Sequence, residues 1–291
     1  MFRKVLIGID GGTGGLDAVA LARWLVADGG ELVLAHVNGG WRSNGKGDWG
    51  RFDELERKRS QSVLISASEQ SGIHSVVQIG ATSTGLGLQK LAQLEAADLT
   101  VIGATTRSPA ERILIGDDSI SILSAAPCSV AIAPRGYADR SAAIREIGVG
   151  YDGSAESRAA LAMARALAER VSAKVSVCEA VNLPYYLFGP GESYWDISQE
   201  VLAAVAQELQ QVGGVEPHAV FGDTVTALTR YSECVDLLVL GTRSFGALGR
   251  LAHHQTTRKL AHTARCPLLV LAGGVQTPDQ ESSTREPQVV S

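Results

Sequence analysis

The chain has 291 residues, of which 45% are hydrophobic and only 5% aromatic. That is enough apolar material for one large or two ordinary domains packed from small side chains. A formal net charge of −5 and an isoelectric point near 5.7 argue against nucleic acid as a partner, which needs a basic face. No apolar run approaches the roughly 18 residues of a membrane span, and Met1 leads straight into a strand pattern without a signal core. The four cysteines, Cys128, Cys178, Cys234 and Cys266, form no C-x-x-C pair. They predict buried free thiols, and neither a zinc site nor a disulfide framework. The expected setting is cytoplasmic.

In chain order, Val5 to Ile9 is a β-branched run that ends at Asp10 and a glycine-rich turn, Gly11 to Gly15. Leu16 to Val26 has helical spacing, with Asp17 placed where it suits the helix dipole. Leu32 to Val37 predicts a second strand, Gly39 to Arg51 a polar loop, and Leu55 to Ser71 an amphipathic helix ending at Gly72. Ser75 to Ile79, Leu99 to Ile102 and Ser129 to Ala133 read as strands, and Leu86 to Ala96 and Ile113 to Ser124 as helices. Such alternation predicts βαβ units in a parallel, doubly wound sheet. Pro134 to Arg145 is a polar connector, and then the pattern restarts.

Asp152, Gly153 and Ser154 follow Ile147 to Tyr151 as Asp10 and Gly11 follow the first run. The strands expected in this half are Lys174 to Val181, His218 to Phe221, Leu237 to Leu240 and Leu268 to Leu271. The helices are Leu161 to Val171, Ile197 to Val212, Thr226 to Cys234 and Arg250 to Thr263. Asp10 to Asp152 and Gly80 to Gly222 are offset by the same number of residues. Gly103 to Cys128 and Gly241 to Cys266 are equally spaced too. The chain is therefore a duplication: domain one at 1–134, a linker at 135–145, domain two at 146–272 and a polar tail at 273–291 that reads as disordered.

Ligands of doubly wound sheets bind beyond the carboxyl ends of strands where the order reverses. With the order 3-2-1-4-5, that crevice lies between strands one and four. Asp10 and Gly103 would share it in the first half, and Asp152 and Gly241 in the second. A carboxylate there can accept from a ribose hydroxyl or hold a metal, and a glycine admits a ligand to the backbone.

The segments 148–157, Asp98 to Gly103 and Asp236 to Gly241, with the cysteine-led fifth strands, resemble the universal stress protein family in its tandem, actinobacterial form. The resemblance covers roughly residues 3–134 and 145–272. It implies two flavodoxin-like domains, each a five-stranded parallel sheet in the order 3-2-1-4-5 with helices on both faces. It also implies ATP or AMP, with Mg²⁺, as the ligand. Adenine would lie near the end of strand two, at Val37 or Val181, and phosphates on the motif G-x2-G-x9-G-[ST]. This sequence departs from that motif in both halves. Gly103 and Gly116 are present in the first, but Thr106 replaces the middle glycine and Asp117 the final hydroxyl. In the second, Gly241 is followed by Thr242, Arg243, Ser244 and Gly246, with His254 for the third glycine and Gln255 for the hydroxyl. Asp117 and Asp118 would repel phosphate, whereas Arg243 and Arg250 would attract it. The second half is thus the better expected site.

Two lookalikes fail. Gly40 to Gly47 approximates a P-loop, but Gly47 stands where a magnesium-binding hydroxyl is needed, and the residues from Asp48 read as continuing loop. Gly8 to Gly15 resembles the phosphate loop of actin-like kinases, yet a helical pattern follows instead of a hairpin. His253 and His254 are adjacent, so they cannot ligate from one helical face. Aromatic residues in the loops after strand two suit either a lid or packing between halves. No nucleophile or general base can be named, so the expectation is a nucleotide sensor without turnover. The alternatives are a scaffold acting through its surfaces, and a slow ATP hydrolase using Asp10 or Asp152 with a metal. Pairing of the two fifth strands, Val130 to Ala133 on Leu268 to Leu271, would cover both open edges and make an intrachain pseudo-dimer, with a homodimer as a further expectation.

Overall fold

Side-chain alternation along the central strands decides the architecture. Val5 and Ile7 join one apolar cluster and Leu6 the other, and all three are wholly buried, so the sheet must be covered on both faces. The computed structural model describes residues 1–39, 49–104, 122–123, 126–140, 143–182, 194–242 and 253–273. The first half contains β1 (Phe2–Gly8), α1 (Thr13–Leu25), β2 (Val26–Gly39), α2 (Trp49–Ser71), β3 (Val76–Ala81), α3 (Thr84–Leu94), β4 (Leu99–Gly103) and β5 (Ser129–Ala133). The second contains β6 (Glu146–Gly150), α4 (Ala155–Val171), β7 (Lys174–Val181), α5 (Tyr194–Gln210) and β8 (Glu216–Phe221). It continues with α6 (Thr224–Tyr231), β9 (Leu237–Gly241), α7 (His253–Thr263) and β10 (Leu268–Leu271).

The strands form one ten-stranded sheet in the order β3-β2-β1-β4-β5-β10-β9-β6-β7-β8. Each half therefore runs 3-2-1-4-5 and is parallel within itself. The halves meet antiparallel, with Val130 opposite Val270, Ala131 opposite Leu269 and Ile132 opposite Leu268. This is the edge pairing expected from the sequence. Because the seam is antiparallel, the carboxyl ends of β1 and β4 point away from those of β6 and β9, and the two crevices open at opposite ends of the molecule. Helices α1, α2, α4 and α5 cover one face, and α3, α6 and α7 the other.

The Asp-Leu pairs before β4 and β9 have a structural role. Asp98 accepts from the backbone N–H groups of Arg3 and Lys4, at 2.7 and 3.0 Å. Asp236 accepts from Arg145 and Glu146 at the same distances. Each carboxylate thereby fixes where the first strand of its half begins.

Several expectations need correction. Strand β2 starts at Val26, directly after α1, with a register shift between Phe2 and Lys4 in its pairing to β1. Helix α2 begins at Trp49, not after Arg51; the P-loop lookalike itself falls outside the described residues, and its rejection now rests on Gly47. The helix expected from Ile113 also falls largely outside them. Cys234 is exposed, while the other three cysteines are buried and free. Asp17 does not sit in the first turn of α1. It is buried, and its two oxygens accept from Gly136 and Ala138, at 2.9 and 2.8 Å. Asp17 is thus the tie between α1 and the connector. Asp17→Ala leaves those two N–H groups without their acceptor, and should lower unfolding free energy in urea by about 2 to 3 kcal/mol. Exposed Asp139→Ala should change it by less than about 0.5 kcal/mol.

Candidate functional site

The crevices form where backbone meets backbone. A Cβ on Gly103 would collide with the Gly14 carbonyl at the start of α1, and one on Gly241 with the Glu156 carbonyl of α4. These glycines are needed so that a helix can press onto the strand end. The side on which a Cβ would stand is filled by helix backbone, while Gly103 and Gly241 still line the crevices.

Asp10 and Asp152 lie just beyond β1 and β6, as expected. Each turns one oxygen onto its own loop: Asp10 Oδ1 accepts from Gly12 N at 2.8 Å, and Asp152 Oδ1 from Ser154 N at 3.0 Å. These are Asx turns that shape the entry to the following helix. Ser154 caps α4 by accepting from Ser157 N, whereas Gly12 gives α1 no side-chain cap.

Beyond this the halves diverge. The second-half crevice is a cavity of about 260 Å³ lined by Asp152, Ser154, Gly241 and Thr242 among the expected residues. Sequence reasoning missed Cys178, Glu179, Ala180, Thr224, Thr256 and Thr257, which also line it. The first-half crevice, lined by Asp10, Val37 and Gly103, holds about 80 Å³. Strand register explains the difference. Leu34 opposes Ile7 and Val177 opposes Val149, so Val37 corresponds to Ala180 and His36 to Glu179. Val37 adds bulk where Ala180 has a methyl group, and it packs so closely on Gly87 that a Cβ there would overlap it. His36 is tied back, with Nδ1 2.6 Å from the Ile9 carbonyl oxygen.

The same register sets Val181 apart from Val37. It lies one position further along and does not line the cavity. Gly153 does not line it either. Gly11 opens instead on a separate depression with Val63 of α2, at φ +83°. Thr242 donates its hydroxyl to the Leu271 carbonyl at 2.9 Å, so that oxygen serves the β9–β10 junction. Thr106, Gly116, Asp117, Arg243, Ser244 and Gly246 lie outside the described residues; Gln255 lies on the first turn of α7, its side chain outside them. A larger depression, about 500 Å³, lies between the connector and the amino ends of β9 and β10, away from the carboxyl ends where such folds bind ligands.

Electrostatics in the second-half cavity are specific. Burial, then the nearby Asp152 and Glu208 carboxylates, push the Glu179 carboxyl above its usual range. Burial, reinforced by Glu179, pushes the Cys178 thiol up to about 12. At neutral pH that sulfur is a thiol and a poor nucleophile. Ser154 Oγ donates to Ser157 Oγ at 3.2 Å, so both hydroxyls serve the helix start.

The profile of the universal stress protein family matches residues 1–134 and 143–272. The universal stress protein in the QAH/OAS sulfhydrylase 3′ region of Thermus aquaticus is 30% identical over 131 residues, which is 42% of this chain and 93% of that one. A universal stress protein structure from Archaeoglobus fulgidus aligns at TM-score 0.65 and 16% identity, over 94% of this chain and 99% of its own. A putative universal stress protein from Pseudomonas aeruginosa aligns at TM-score 0.61 and 18% identity, over 93% of both chains. These two likenesses concern the fold. Among the described residues, no helix is long and apolar enough to cross a membrane. With a matching profile in each half and the same fold over the whole length, the chain belongs to the universal stress protein family.

Proposed function

We propose that the second half binds an adenine nucleotide, ATP or AMP, and that the chain acts as a stress-linked sensor without turnover. The observation that carries this reading is the cavity of about 260 Å³ at the carboxyl ends of β6 and β9. Its size lies near the lower end, roughly 300 Å³, of small-molecule sites. Asp152 stands at its mouth as an acceptor for ribose hydroxyls. Glu179, at the end of the second strand of this half, supplies an acceptor for the exocyclic amino group of adenine. Guanine presents a carbonyl oxygen at the corresponding place, which the Glu179 carboxylate would repel. Hydroxyls of Thr224, Thr256 and Thr257 line the cavity and can donate to phosphate, and Arg243 is the expected cation. Mg²⁺, if bound with the nucleotide, would offset phosphate charge. The absence of turnover is supported by Cys178 remaining a thiol and by Ser154 and Ser157 being engaged with each other.

For the first half a different reading is favoured by its closure: about 80 Å³ leaves no room for a nucleoside, so this half serves as a scaffold for the second.

Calorimetric titration with ATP, AMP and cyclic AMP, with and without Mg²⁺, tests the proposal. Asp152→Ala should weaken binding about tenfold, the equivalent of about 1.4 kcal/mol, and Asp10→Ala should leave it unchanged. No heat and no thermal shift with any nucleotide would leave the whole chain a scaffold. A second prediction concerns pH. The Glu179 carboxyl is raised in the folded state, so its contribution to stability is present below its unfolded value and lost as pH rises through the folded one. Glu179→Gln should therefore melt above the parent chain at pH 7, and the gap should close as pH falls towards 4. A gap independent of pH would contradict the assignment.

A further inference from the structure

The two halves carry opposite charges at one equivalent position, at the amino ends of their strands and away from either crevice. Lys4 of β1 donates its backbone N–H to Asp98, and Glu146 of β6 donates its own to Asp236. In the first half, the Lys4 ammonium lies 2.8 Å from a Glu95 oxygen and 3.4 Å from a Glu31 oxygen, a tethered cation between two carboxylates. In the second half the cross-strand charges are reversed: Glu146 stands opposite Lys174, as Lys4 stands opposite Glu31.

Glu146 shares its face of the sheet with Glu216 and His218 of β8. One ligand atom from each of the three lies within 4.8 Å of the others, and His218 Nε2 is 3.8 Å from Glu216 Oε1. The ion pairs of Lys4, Lys58, Arg170 and Arg265 go to other carboxylates. Glu146 is held in place from behind. The Ser176 hydroxyl donates to Glu146 Oε1 at 2.8 Å, and the Tyr231 hydroxyl lies 2.6 Å from Ser176 Oγ. With Ser176 already donating to the carboxylate, Tyr231 must donate to Ser176, so the relay ends on the Glu146 side chain. Gly148 makes room for this relay, since a Cβ there would lie 2.6 Å from the Tyr231 ring. The same ring tilts against His218, with centroids 5.6 Å apart. Oriented outer partners of this kind set the direction of metal ligands.

We propose that Glu146, Glu216 and His218 bind a divalent transition-metal ion of the zinc class. Mixed imidazole and carboxylate ligands suit such an ion, whereas calcium and magnesium prefer oxygen alone. Ligand distances of about 2.0 to 2.1 Å place tetrahedral donors roughly 3.3 Å apart, so the cluster must draw in by about 1.5 Å at most. Glu216 is the arm that can move, its side chain being 60% exposed. Water completes the coordination. The ion would fasten β8, the outer strand of the second half, to β6 across β7, so zinc raises the melting temperature by mass action.

The test uses the full chain with Zn²⁺ alone in calorimetry and Co²⁺ alone in visible absorption. One equivalent should bind, with the absorption of a four-coordinate nitrogen and oxygen site. Paramagnetic shifts from Co²⁺ on the unmodified chain should centre on His218. His218→Ala and Glu146→Gln should each weaken Zn²⁺ binding at least about tenfold, and His262→Ala should not. Glu146→Lys should abolish binding. Absence of saturable uptake would overturn the site. So would affinity unchanged in both His218→Ala and Glu146→Gln, an equal loss in His262→Ala, or shifts centred elsewhere.

Discussion

Close contact between helix backbone and strand end sets the form of both halves. At Gly103 and Gly241 the strand has no Cβ, and the first turn of the next helix but one in space, α1 or α4, rests its carbonyl where that carbon would be. This contact makes the floor of each crevice and draws the aspartate loops after β1 and β6 to its rim. A crevice built this way has only the volume that the neighbouring strand end leaves, and the first half, with Val37 and His36, leaves far less than the second, with Ala180 and Glu179.

The seam explains why one closed crevice does not make the first half dispensable. Strands β5 and β10 would each be an open edge alone, and their pairing covers both. Around it the halves are tied directly. Arg170 at the end of α4 donates to the Val26 carbonyl at 2.7 Å and lies 3.2 Å from Asp28. Asp17 holds the connector, and the backbone N–H of Ala272 donates to Ser129 Oγ at 3.3 Å. The antiparallel join sends the two crevices to opposite ends, so the two sites make no contact with each other.

Much of this was legible in the sequence. Strand alternation and the duplication follow from apolar patterning and from the matched spacing of Asp10, Gly80, Asp152 and Gly222, and the strand order from the family resemblance. The pairing of Val130 to Ala133 with Leu268 to Leu271 follows from two apolar strands without partners. The site was less legible, for physical reasons. Val37 and Val181 look equivalent along the chain, but strand pairing makes Ala180 the partner of Val37, and register is set by hydrogen bonds that composition does not display. Glycines at Gly103 and Gly241 read as openings, because a sequence cannot distinguish space for a ligand from space for a helix. Asp17 looked like a dipole residue until the connector folded back onto it. Glu179 carried no motif, yet an acidic residue near the end of an otherwise apolar, buried strand was a signal available to be read.

The central claim is an asymmetry: equal folds, one crevice kept and one closed. The most direct measurement is the amount of nucleotide carried by the full chain, by heat release and quantification after equilibrium dialysis against saturating ATP. The account predicts one adenine nucleotide per chain. Two per chain would show the first crevice to be open, and none would show that the second is closed as well.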